Sequence, residues 1–235
     1  MAALDGGCRK RLRPWLDSKD EALARVYLVM KITKGGNKGR RYNVLLMALL
    51  TLVGFGTPGW FLIEVVQGRS LLDLVGGTRP LLFQLFVGVV YGLTFGLVVR
   101  CLVRRPFMSE AVARYAEIGR QLARPLDIVL LSVCAGVGEE IMARGAIQYW
   151  LGILLTSVVF VVIHGYINPR KWKVSLLGVT SIAGNVPLGF MAEYWGLAAP
   201  MAAHTAFDVM VLLELARTFG SKGSSARPQT SPYSG

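Results

Sequence analysis

Six apolar windows, each about the 20 residues a helix needs to cross a bilayer, constrain this chain more than any other feature. They run approximately over 43–66, 81–103, 126–149, 150–168, 174–195 and 197–217. The expected fold is therefore all-α: a multi-pass transmembrane bundle of about six spans, in an integral membrane protein whose first partner is the lipid bilayer. A hydrophobic fraction of 53% and a mean hydropathy of +0.49 agree, both being high for a soluble domain of this length. The first window is interrupted by "GFGTPGW", and a break or kink is expected at Pro58, which lacks a backbone donor.

The formal net charge is +12, and where the basic residues fall decides what that charge means. Eleven precede the first window, six lie from Arg100 to Arg124, three are Arg170, Lys171 and Lys173, and three follow from Arg217 onward. Lys and Arg concentrate in cytoplasmic loops, so these 23 fall on one side if both termini are cytoplasmic. Arg69 and Arg79 fall on the other side, and Arg144 is left within a span. The charge is thus a topology pattern. It implies no nucleic-acid partner, and no zinc-finger cysteine spacing contradicts that.

The expected organisation is a basic polar segment over 1–42, N-terminal spans with a basic cytoplasmic loop over 43–125, a helical core over 126–217 and a disordered tail over 218–235. No signal peptide is expected, because residues 1–42 carry no short apolar core with a small-residue cleavage site. "GGNKG" before the first window reads as a flexible linker. Cys8, Cys101 and Cys134 are odd in number and scattered, which implies no disulfide framework, and Cys134 is expected to pack as a small hydrophobe. Gly88, Gly92 and Gly96 at four-residue spacing line one helix face, as a close helix-to-helix seam in lipid requires.

Against this apolar background "GEEIMARG", residues 138–145, places two glutamates and an arginine inside a span. A charge near the bilayer centre costs at least about 2.5–3.5 kcal/mol, so each ionised group needs a partner. Glu140 and Arg144 are i and i+4 and can pair, whereas Glu139 points about 100° away and is not consumed by that pair. The chain's two histidines also lie in spans: His164 in "FVVIHGYINP" and His204 in "APMAAHTAFDVMV". His204 and Asp208 are i and i+4, so both can enter one pocket. Clustering lets groups that are costly singly satisfy one another. Counting about 1.5 Å per residue from the basic flanks puts Glu139, His204 and Asp208 about 14–22 Å deep and His164 only about 9 Å deep. Tilt or an extended helix must close that gap.

These residues resemble a known pattern. "EEIMAR", then "FVVIH" (Phe160 to His164), then "HTAFD" (His204 to Asp208) is similar in order and spacing to the CPBP or ABI family of intramembrane proteases. That family includes type II CAAX prenyl endopeptidases and bacteriocin-processing or self-immunity proteins. The resemblance covers about residues 125–215. It implies an endopeptidase in which Glu139 and His164 activate a water, His204 and residue 208 stabilise the oxyanion, and Glu140, Arg144 and Phe160 give support. A membrane-associated protein or peptide substrate and residence in the cell (inner) membrane follow from the same resemblance. Asp208 departs from the asparagine common at its position. An ionised aspartate only accepts hydrogen bonds, so Asp208 must be protonated, orient His204 or bind metal. Whether a cofactor takes part stays open on these residues, a divalent metal such as Zn2+ being the candidate water activator. Two other functions stay open on these residues: a non-catalytic scaffold or immunity protein of the same family, and a proton- or metal-coupled transporter.

Overall fold

The structure is a computed structural model and describes residues 37–219 except 114 and 123. Among the described residues it is entirely helical, with no strand. Helix α1 (Asn37–Phe61) continues as a π-helical turn, Leu62–Val66. A short α2 (Leu71–Gly76) leads into α3 (Leu81–Val103), and two short helices, α4 (Ser109–Ala113) and α5 (Ala116–Gln121), bridge to α6 (Pro125–Glu140). A second π-helical segment, Ile141–Ile147, joins α6 to α7 (Gln148–Ile163); α8 (Trp172–Tyr194) and α9 (Ala198–Phe219) complete the bundle. Asn37 to Gly39, expected within a linker, already belong to α1. The remainder of the basic N-terminal segment and the tail from residue 220 lie outside the described residues. Pro58 does not break the first span, whose helix runs on through Phe61.

Among the described residues, five helical stretches are long and apolar enough to cross a membrane, not six. The expected third and fourth spans form one stretch, Pro125–Ile163, of 39 residues. It is not straight. Gly152 sits at φ 69°, ψ 175°, outside the helical region and open to glycine because no Cβ is present. Glu139 and His164 would stand about 37 Å apart along an unbroken helix, yet their side chains lie 3.5 Å apart. The chain therefore reverses at Gly152 into a hairpin with a long limb, 125–151, and a short one, 153–163. The short limb is about 16 Å long, half of a crossing.

Glycines set how the remaining helices meet. Gly88, Gly92 and Gly96 on α3 press onto Ala199, Ala203 and Met210 on α9, so these two helices run parallel with backbones in contact. This is the seam expected from the four-residue spacing. Gly138 on α6 faces Thr51 and Leu52 of α1, and Gly136 faces Met201 and Thr205 of α9. The segment bearing both glutamates is thus held between α1 and α9. Cys134 packs in a buried cluster with Val44, Ala48, Ile128 and Leu131, as a small hydrophobe would. Ion pairs Arg41–Asp127, Arg100–Glu214 and Arg104–Glu214 gather the basic helix ends on one face of the bundle.

The seam carries the first prediction. A Cβ on Gly92 meets the Ala203 carbonyl and, at 3.0 Å, the Ala206 Cβ, whereas one on Gly76 meets nothing within 4 Å. Gly92→Val is expected to lower stability in detergent by about 1–3 kcal/mol through overpacking, while Gly76→Val leaves it unchanged; thermal unfolding of the two purified variants checks this.

Candidate active site

The reversal at Gly152 brings four helical segments to one place. Glu139 and Glu140 end α6, Phe160 and His164 end α7, and His204 and Asp208 lie mid-way along α9. Arg144 sits in the π-helical segment one turn beyond the glutamates.

The local chemistry builds outward from the two imidazoles. His164 Nδ1 is 2.6 Å from the Phe160 carbonyl oxygen, which only accepts, so Nδ1 carries the proton and donates. His204 Nδ1 donates to Glu140 Oε1 at 2.8 Å by the same argument. In both rings Nε2 is thereby left facing inward. Glu139 Oε2 lies 3.5 Å from His164 Nε2 and 3.9 Å from His204 Nε2. Asp208 Oδ2 lies 3.8 Å from His204 Nε2 on the other side. These separations are long for hydrogen bonds, so the four inward groups border a common gap rather than consuming one another.

Beneath the gap is a sealed layer. Glu140 Oε2 and Arg144 Nε are 3.3 Å apart, with both side chains fully buried. Arg144 Nη2 donates to Asn185 Oδ1 and to the Asn185 carbonyl on α8, and the guanidinium lies 5.0 Å from the Phe160 ring centroid. Phe160 also packs against both imidazoles, at 4.5 and 5.8 Å between centroids. Exposure grades outward from this layer, from 0% at Glu140 and Arg144 to 12% at Glu139, 24% at Asp208 and 29% at His164. The gap is reached from the side of His164 and Asp208, and Glu139 forms its floor.

All seven residues singled out in the sequence therefore meet. Two features differ from expectation. Glu140 is more than a partner for Arg144, because its second oxygen holds His204. His164 reaches the glutamates because the short limb of the hairpin ends beside them. Asn185 was missed; an amide inside the apolar run "SIAGNVPLGF" was its only trace.

Two imidazoles and two carboxylates are donor types that zinc accepts. Among the described residues, however, no group of three or more His, Cys, Asp or Glu side chains is arranged to hold a metal ion. The residues as placed do not fit one.

Helices of crossing length around a buried polar cluster support an integral membrane protein. Residues 121–210 match the family described as Type II CAAX prenyl endopeptidase Rce1-like, and the match lies over the segment that carries the site. The match supports, at family level, an intramembrane CAAX-type endopeptidase. No curated protein and no solved structure matches the chain.

Proposed function

We propose that the protein hydrolyses a peptide bond of a membrane-associated substrate, with Glu139 as general base and with side chains and water alone doing the chemistry. The observation that carries this reading is the convergence of Glu139 Oε2 with the Nε2 atoms of both histidines around one gap. A water there donates one hydrogen bond to Glu139 and the other to the unprotonated His164 Nε2. Glu139 takes the proton as the water oxygen adds to the scissile carbonyl. When His204 carries both protons, Nδ1–H stays on Glu140 and Nε2–H donates to the developing oxyanion, a donor already in place. Collapse of the tetrahedral intermediate breaks the C–N bond, and the proton held by Glu139 passes to the leaving amine. The products are a carboxylic acid and a free amine, and the acid becomes a carboxylate as its proton passes to the unprotonated His164 Nε2.

The family's printed name supplies the substrate class: a chain ending in a prenylated CAAX sequence. The basic residues at the helix ends support a cytoplasmic placement of both termini, with the site opening to that side of the cell membrane. Purified protein in detergent is expected to release the terminal tripeptide from a farnesylated CAAX peptide carrying a fluorophore and quencher. Absence of release from farnesylated and geranylgeranylated peptides alike, in protein that remains folded, would count against this substrate class.

Asp208 also separates roles within this reading. Glu140 already holds His204 by Nδ1, so Asp208 is not needed to orient that ring. An asparagine there adds an N–H donor beside the oxyanion position. Asp208→Asn is expected to keep or raise kcat, by up to about tenfold on the scale of one added charge-directed hydrogen bond. A severe loss in this variant would assign the ionised carboxylate a required role.

A further inference from the structure

The two π-helical segments stand side by side. Leu62–Val66 ends the first span, and Ile141–Ile147 begins immediately after the paired glutamates. Ile63, fully buried, packs with Ile141 and Ala146, and a Cβ on Gly145 would meet Ile63 Cδ1 at 2.7 Å. Polar contacts join the same two elements. Gln67 Nε2 donates to the Ala146 carbonyl at 2.9 Å, and Arg69 Nη1 reaches the Gly145 carbonyl at 3.5 Å and Gln67 Oε1 at 3.2 Å. The Arg69 guanidinium also lies 5.3 Å from the Tyr149 ring centroid.

Register gives these contacts their consequence. The Gln148 N–H reaches back five residues to the Ala143 carbonyl, the wide π spacing. Relaxing that turn to ordinary α spacing would advance everything after it by about 1.5 Å and about 100° relative to Glu139 and Glu140. His164 follows the turn, by way of Gly152, and Arg144 lies within it. The register of this one segment therefore decides whether His164 meets Glu139 and whether Arg144 meets Glu140.

We propose that Gln67, on the loop after the first span and outside the family-matched residues, is a positioning residue that fixes this register by holding the Ala146 carbonyl. The proposal rests on the endopeptidase reading above. The N-terminal spans then act as a clamp on the active-site helix, not only as a membrane anchor, and Arg69 braces Gln67 in the clamp.

The test compares Gln67→Met, which keeps length and removes the donor, with Gln67→Lys, which keeps a donor of similar reach. Both are measured on the farnesylated CAAX peptide beside Glu139→Gln, after confirming the same monodisperse elution as wild type. Gln67→Met is expected to lower kcat about 10- to 100-fold, as small misplacements of reacting groups do, with KM within about twofold; Gln67→Lys restores most of the rate. Wild-type kcat in Gln67→Met, equal losses in both variants, or a loss confined to KM would overturn the positioning role. If Glu139→Gln keeps full activity, the endopeptidase mechanism fails and the proposal fails with it. If Glu139→Gln is inactive and Gln67→Met is wild type, only the positioning role fails.

Discussion

Glu139→Gln is expected to lower kcat by about 10²- to 10⁴-fold, the range a general base contributes, while the protein inserts, elutes and unfolds as wild type. Glutamine keeps the shape and removes only the ability to take a proton. The imidazoles beside Glu139 lie at 3.5 Å (His164 Nε2) and 3.9 Å (His204 Nε2), both long for hydrogen bonds. Little folding energy therefore depends on its charge. That separation of activity from stability distinguishes catalysis from a scaffold role, in which the biological effect survives the substitution. Cleavage of the farnesylated CAAX peptide, with thermal unfolding measured on the same preparation, reads both quantities. Full activity of Glu139→Gln would remove the base from the proposed mechanism. His164→Ala is the companion variant, since His164 Nε2 shares the water; its loss should be of similar order without loss of folding.

How much of this was legible in the sequence differs by residue. The different facing of the adjacent glutamates was readable from helical geometry alone. A 100° step separates Glu139 from the Glu140–Arg144 pair, and α6 keeps that step up to Glu140, where the wide turn begins. The glycine seam of α3 was equally readable, because small residues four apart have a mechanical meaning in lipid. A reversal between the windows 126–149 and 150–168 was readable, but its place at Gly152 was not. In "YWLGILL" a glycine among apolar residues fits a straight span as well as a hairpin, and only its positive φ distinguishes them. The depth mismatch of His164 has a different source: counting from the basic flank assumed that helix filled residues 164–170, whereas the helix ends at Ile163. Glu140's hold on His204 spans 64 positions in the chain, and no local periodicity reports a contact of that kind. The same holds for Arg144 with Asn185 and for Gln67 with Ala146.

Arg144→Leu is expected to cost about 3–5 kcal/mol of stability, the penalty for leaving one member of a buried ion pair without its partner. Neither side chain has any exposure, so solvent cannot replace what is lost. The substitution also strips Asn185 Oδ1 of its donor and Phe160 of the cation near its ring. Glu140→Leu is expected to cost a similar amount for the complementary reason, a buried guanidinium left with only Asn185. The double variant Glu140→Leu/Arg144→Leu should regain most of the stability, because a buried pair replaced by apolar side chains of similar volume is often neutral. Activity should not return with it. Glu140 Oε1 accepts the Nδ1 proton of His204 and so fixes which nitrogen faces the gap, and leucine offers no acceptor. Denaturation in detergent beside peptide cleavage therefore gives a pattern that a simple brace does not produce. If the double variant recovered both stability and rate, Glu140 would serve only to neutralise Arg144, and the orientation of His204 would have to come from Asp208.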